Sequence, residues 1–213
     1  MILLDKYSII NKIIAKFTKN AKGELKMASW LLPDHIFAKF DDVTPEFLSS
    51  LGIKALLIDI DNTLAPYEVA EPDGRIFDWF DALKKSGISA TLVSNNDRER
   101  VELFNKHLGL RAYYKSGKPF AKNLKKAMAE MGSDASNTAM LGDQLLTDAA
   151  AGKHIGLRTI IVPPIKDKSN SFFRAKRALE VPTIRKYAKQ HAEESDVAEK
   201  CSFWLEKKYK RLK

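Results

Sequence analysis

From residue 55 to residue 162 the chain alternates short continuous apolar runs with stretches of helical spacing. The runs are Ala55–Ile58, Ile88–Val93, Ala112–Tyr114, Thr138–Leu141 and Leu157–Val162. Runs of this length that stop at polar residues read as strands buried on both faces, as in a parallel sheet covered by helices. Between them, Ile76, Phe77, Phe80 and Leu83 predict a helix closed by Gly87. Val101, Leu103, Phe104 and Leu108 predict a second, with Asn96 as its N-cap and Gly109 as its end. A third is expected from Pro119, in its first turn, through Met128 to Gly132, and a small-residue helix spans Ala149 to His154. Five strands alternating with helices predict an α/β fold, a Rossmann-like doubly wound parallel five-stranded sheet with helices on both faces. Ahead of the first strand, residues 34–50 predict two short helices, the second capped by Thr44 before Pro45 and Glu46. Residues 65–74 hold two prolines and a glycine and read as a loop or flap.

The ends differ from the middle. Residues 2–17 place Leu3, Tyr7, Ile10, Ile14 and Phe17 at helical spacing with lysines mostly opposite, a basic amphipathic helix. From Asp167 onward the chain reads as helical and basic, with aromatics among cations and Pro182 expected to break or kink it. Residues 1–26 carry six lysines against two acids, and residues 166–213 carry fourteen Lys/Arg against seven acids. The net charge of +9 therefore lies in the termini, where an anionic partner would be met. This divides the chain into an N-terminal extension (1–26), a central domain (27–166) and a C-terminal extension (167–213). Met27, ahead of Ala28-Ser29-Trp30, is an alternative start. A single cysteine, Cys201, excludes a disulfide framework and a cysteine metal site, which suits a reducing, cytoplasmic setting. No run of eighteen apolar residues is present, so membrane contact is expected to be peripheral, on the inner face.

Four of the expected strands end in polar residues with chemical capacity. Asp59 and Asp61 follow the first and Ser94 and Asn95 the second. Lys118 follows the third, and Asp143 with Asp148 the fourth. Each alone is ordinary: Asp-x-Asp can be a Ca²⁺ loop or a turn, Ser and Asn favour caps, and a lone lysine is usually solvated. Parallel topology, however, brings all four strand ends to one edge of the sheet, where ligands bind in such folds. A nucleophile, a second carboxylate, a hydroxyl, a cation and an acidic pair are the parts needed to move a phosphoryl group through an aspartyl-phosphate with Mg²⁺.

Asp59-Ile60-Asp61-Asn62-Thr63, Val93-Ser94-Asn95, Lys118-Pro119 and Gly142-Asp143 with Asp148 resemble, in order, the four motifs of the haloacid dehalogenase (HAD) superfamily. Leu31-Leu32-Pro33-Asp34, Ser94-Asn95-Asn96 and Gly142-Asp143-Gln144-Leu145-Leu146-Thr147-Asp148 narrow the resemblance to the YqeG-type phosphatases of subfamily IIIA, over roughly residues 28–180. The resemblance implies Asp59 as nucleophile and Asp61 as general acid and base. It implies Lys118 as the cation facing the phosphoryl oxygens, and Ser94 and Asn95 as phosphate-binding residues. For Mg²⁺ it implies Asp59, Asp61 (through its backbone carbonyl), Asp143 and Asp148. The carboxylates of Asp59, Asp61 and Asp143 are expected to converge within about 6 Å, close enough to share a cation.

Asp61 and Ser94 are separated by 32 residues, and Ser94 and Lys118 by 23, too few for a separate cap domain beside the helices already placed there. An open site favours a phosphate carried on something large. Relatives of this type resemble phosphatidylglycerophosphate phosphatases, so the leading expectation is a lipid phosphate at an anionic membrane surface. The alternatives are a phosphatase for nucleic-acid ends or a small soluble phosphometabolite, or a non-catalytic binding module on the same scaffold.

Overall fold

The computed structural model describes residues 18–19, 25–26, 31–166 and 171–205. The amphipathic helix expected over residues 2–17, the alternative start at Met27 and the basic end from Lys207 to Lys213 lie outside the described residues. A short antiparallel ribbon pairs β1 (Thr18–Lys19) with β2 (Leu25–Lys26). The main sheet is parallel and six-stranded. It comprises β3 (His35–Ile36), β4 (Ala55–Ile58), β5 (Ser89–Val93), β6 (Arg111–Tyr113), β7 (Thr138–Gly142) and β8 (Arg158–Ile161), in the spatial order β3-β8-β7-β4-β5-β6.

The central strand β4 is buried at every position, the reason its sequence is an unbroken apolar run. It pairs with β5 on one side and β7 on the other, with Ile58 opposite both Leu92 and Leu141. In-register pairing makes these strands finish at the same level, so the residues that follow them share one edge. The α/β expectation holds, with one more strand than the five foreseen. Two residues are too few for β3 to show any period in the sequence, and helix had been expected there. Its partner is β8, and Asp34 fixes the pairing by accepting from Thr159 N (2.7 Å) and Thr159 Oγ1 (2.9 Å) and pairing with Lys153 Nζ at 2.7 Å.

The helices are α1 (Pro45–Ser50), α2 (Gly74–Lys85), α3 (Arg98–Asn105), α4 (Lys122–Glu130), α5 (Ala150–His154), α6 (Ser171–Gln190) and α7 (Val197–Leu205). Thr44 caps α1 as expected, accepting from Phe47 N at 3.2 Å. The cap of α3 is Asp97, not Asn96, and accepts from Arg100 N at 3.0 Å. Asn96 is committed elsewhere, as described below. Pro119 is not in the first turn of α4, which starts at Lys122. It lies in the preceding turn, after a cis Lys118–Pro119 peptide bond.

Pro182 does not break α6, which runs through it. The helix is held there by burial: Val181, Ile184 and Tyr187 pack with Val197, Cys201 and Trp204 of α7 against Ile36, Leu145, Ala149 and Ile161. At roughly 1.5–3 kcal/mol for each large apolar side chain removed from water, this face outweighs the local cost of the proline. Tyr187 Oη also accepts the outward N–H of Ile36 on the edge strand at 3.1 Å. Residues 171–205 thus share a core with the sheet. The cations Arg174, Arg185, Lys186 and Lys189 remain on the exposed face of α6. Among the described residues no helix is long and apolar enough to cross a membrane.

Candidate active site

Past Ile58 the chain turns sharply. Asn62 adopts φ 66°, a left-handed conformation that asparagine tolerates better than other non-glycine residues. Its N–H bonds to Ala65 O at 2.7 Å, closing a loop that brings Thr63 back over Asp59, where Thr63 Oγ1 lies 3.5 Å from Asp59 Oδ2. Asp59 itself is buried at the end of β4.

Lys118 arrives from the loop after β6. Asn95 holds that loop: its Oδ1 accepts from Lys118 N and Ser116 Oγ, both at 2.9 Å, and its Nδ2 donates to Lys118 O at 2.9 Å. The side-chain amide of Asn95 therefore positions the lysine. Lys118 Nζ lies 2.6 Å from Asp59 Oδ1 and 2.8 Å from Asp148 Oδ1, all three groups buried. Ser94 is buried beside them, and its Oγ accepts from Asn96 N at 3.0 Å, leaving its own O–H to donate.

Asp143 follows β7, and Asp148 sits in a wide turn, Leu145–Ala149, that includes a bond from Ala149 N to Gln144 O. Asp148 folds back over Gly142 and accepts from Gln144 N at 3.0 Å. A side chain at position 142 would place its Cβ 2.4 Å from both Cβ and Cγ of Asp148, so the approach requires glycine.

Asp59, Asp143 and Asp148 each offer an oxygen within 4.8 Å of the others. The Asp61 carboxylate is not in this set. Arg100 Nε donates to its Oδ1 at 3.1 Å, and Asn96 Nδ2 donates to its Oδ2 at 3.0 Å. Asp61 contributes no side-chain oxygen to the cluster.

Burial pushes Asp59 up to about 8, with Asp148 and Asp143 adding to the rise and Lys118 opposing it. Burial likewise pushes Asp143 up to about 6, against the pull of Arg177. Lys118 is held above its ordinary value, because Asp148 and Asp59 outweigh the effect of its burial. Three buried carboxylates thus face two buried cations, Lys118 and Arg177. A divalent cation fits this donor set: it is all oxygen, negatively charged and compact.

Arg177 of α6 is a residue that sequence reasoning missed. It pairs with Asp143 Oδ2 and donates through Nη1 to the Asp143 carbonyl at 2.7 Å. Lys176 beside it donates to Gln144 Oε1 at 2.6 Å. Both sat in what read as a basic surface helix. Arg100 and Asn96 were missed as well, although their place just after the second strand is where such partners would be sought.

A family model described as HAD-hyrolase-like matches residues 115–167, which hold Lys118, Asp143 and Asp148. A Bacillus subtilis (strain 168) protein named Probable phosphatase YqeG is 34% identical over 154 residues, spanning 72% of this chain and 90% of that protein. The chain belongs to the YqeG family of HAD-like proteins. Among solved structures, this YqeG-family fold is similar to 3-deoxy-D-manno-octulosonate 8-phosphate phosphatase from Yersinia pestis. The TM-score is 0.43 at 14% identity, covering 77% of this chain and 85% of that one. The Moraxella catarrhalis phosphatase of the same name, in complex with magnesium ion, phosphate ion and KDO molecule, gives 0.39 at 17% identity, covering 70% and 97%.

Proposed function

We propose that this YqeG-family chain is a phosphomonoester hydrolase that works through an aspartyl-phosphate on Asp59. The observation that carries the reading is the placement of Lys118 Nζ between Asp59 and Asp148, with Asp143 in the same buried cluster. An Asp59 oxygen attacks phosphorus, forming a P–O bond as the bond to the leaving oxygen breaks. Asp61 gives a proton to that oxygen. It then takes one from the water that attacks phosphorus, and the Asp59–phosphorus bond breaks to release phosphate. Lys118 and the Ser94 hydroxyl stabilise the charge on the phosphoryl oxygens, a contribution worth roughly 10²–10³ in rate for each donor. Mg²⁺ held by Asp59, Asp143 and Asp148 would supply further charge neutralisation and keep Asp59 ionised.

For the substrate, we favour a phosphate carried on a lipid, such as phosphatidylglycerophosphate, met at the membrane surface. Two observations support this reading. The segments after β4 and β5 are a loop with α2 and a single helix, α3, so among the described residues no cap domain is inserted at either point. Of the exposed large apolar side chains, Tyr67, Val69, Tyr114, Phe120 and Ile165 lie on loops that follow β4, β6 and β8, at the same edge of the sheet as the cluster. Apolar tips around an open site suit an interface better than bulk water.

The deciding experiment is phosphate release in Mg²⁺ from phosphatidylglycerophosphate in mixed micelles, beside nucleotide, sugar and nucleic-acid-end phosphates, with Asp59→Asn as control. The lipid should give the highest kcat/KM. Fast turnover of soluble esters with none of the lipid would overturn the substrate assignment, and activity surviving in Asp59→Asn would overturn the chemistry.

A further inference from the structure

A chain of buried groups links the last two helices to Asp143, and none of them belongs to the motifs that mark the site. Arg177, on α6, is 4% exposed and makes two bonds to one residue, the carbonyl and the carboxylate of Asp143. Glu180, one turn on, accepts from Arg177 Nη1 at 3.0 Å through Oε2. Its Oε1 accepts from Leu145 N, also at 3.0 Å, two residues beyond Asp143. Trp204 Nε1, on α7, donates to the same Glu180 Oε2 at 3.0 Å. Glu180 and Trp204 are as inaccessible as Arg177.

Such a network is poorly explained by stability alone, since well-packed apolar residues in place of a buried ion pair are often neutral or stabilising. What the guanidinium provides is geometry. Its rigid planar fork fixes the backbone and the side chain of one aspartate together, an orientation that an apolar contact cannot give and a freely rotating ammonium does not impose. With Oδ2 engaged by Arg177, the other oxygen, Oδ1, receives a 3.4 Å contact from Gln144 Nε2 and can serve as a ligand.

We propose that Arg177 is a positioning residue for the cation site. With Glu180 and Trp204 behind it, it sets the Asp143 carboxylate so that Asp59, Asp143 and Asp148 converge. The two C-terminal helices are then part of the active centre and not an appendage to it. This rests on reading the cluster as a divalent-cation site.

The test is calorimetric titration of Mn²⁺ into full-length wild type, Arg177→Lys and Trp204→Phe, with thermal midpoints recorded in chelator. Arg177→Lys keeps the charge but loses the fork, and should weaken Mn²⁺ binding about ten- to a hundredfold, as removal of a ligand-orienting partner does. Trp204→Phe removes only the donor to Glu180 and should weaken it several-fold. Affinity within twofold of wild type in the folded variants overturns the proposal. So does tighter binding, which would make the guanidinium a competitor of the cation. If Arg177→Lys does not fold, Trp204→Phe decides on the same criterion. Wild type that takes up no Mn²⁺ removes the cation site itself, whereas tight wild-type binding matched by both variants overturns the positioning role alone.

Discussion

Arg100 reaches from the first turn of α3 to Asp61, donating through Nε to Oδ1 at 3.1 Å. Through Nη1 it also donates to Ala70 O at 3.3 Å, so one guanidinium ties both the expected acid and the flap behind it. Asp61 is thereby held beside the buried cluster without joining it, as a group that exchanges protons with the leaving oxygen should be. Asp61→Asn should lower kcat by about 10²–10⁴, the usual worth of general acid–base catalysis. The loss should be greater for an alkyl phosphate than for an aryl phosphate with a good leaving group. Arg100→Ala should show the same ordering at smaller size. Steady-state rates on the two substrates check this, and equal losses on both would remove the proton-transfer role.

Cation binding should stabilise the fold, and more so at higher pH. Asp59 and Asp143, pushed up to about 8 and about 6, favour their protonated forms in the folded chain relative to the unfolded one. Without a cation, stability should therefore fall as pH rises from about 4 towards 8. Mg²⁺ competes with protons for those oxygens, so its stabilising effect should grow over the same range. At a hundredfold excess over Kd it should approach about 2.7 kcal/mol. Thermal melts with Mg²⁺ or chelator at pH 5, 6.5 and 8 measure it. A shift that does not grow with pH would place the cation elsewhere.

Gly142→Ala should damage both fold and site. Its Cβ would meet Asp148 at 2.4 Å, so either the strand end or the carboxylate must move. Overpacking of this kind costs about 1–3 kcal/mol. Because Asp148 is one of the two carboxylates on Lys118, activity should fall further than stability. Urea denaturation together with phosphate release distinguishes this from a neutral substitution, which would leave both unchanged.

Asp34→Asn should weaken the sheet margin in a pH-dependent way. Burial alone would raise the Asp34 carboxyl, but Lys153 and Thr159 outweigh it and hold the group below its ordinary 3.8. Its contribution is then complete above that value and is lost as pH falls through the lower folded value. With charge-assisted bonds worth about 1.5–3 kcal/mol, the variant should be less stable at pH 7 and should converge with wild type in acid. Denaturant midpoints at pH 7 and pH 3 test this: the gap should narrow at pH 3, and one undiminished there would contradict it.

The parts of this molecule that were legible in the sequence are those set by local pattern. The apolar runs at 55–58 and 138–141 read as buried strands, and parallel topology puts their polar followers at one edge. Asp59, Lys118, Asp143 and Asp148 were therefore found together before any coordinates. What local pattern could not reveal depends on partners far away in the chain. Strand β3 exists because Thr159 anchors the preceding Asp34 and Tyr187 takes the Ile36 N–H, partners 125 and 151 residues away. The hold of the Asn95 side-chain amide on Lys118, 23 residues on, is likewise invisible to local pattern. Arg177 differs from Arg174 and Arg185 only in which side of α6 it takes, and mixed charge along that helix hides the distinction. Asn96 lost its capping role to Asp97 because Asp61, 35 residues earlier, engages its side chain.

Tyr187 has a consequence beyond packing. A parallel sheet ordinarily ends in two rows of unsatisfied backbone groups, a template on which foreign strands can grow. Here one margin is a two-residue strand whose free N–H is already taken by a phenol, and the other, β6, is three residues long. Both margins are short and one is already engaged, so strand addition, and the fibrous precipitation that follows from it, is disfavoured along the flanks of the main sheet.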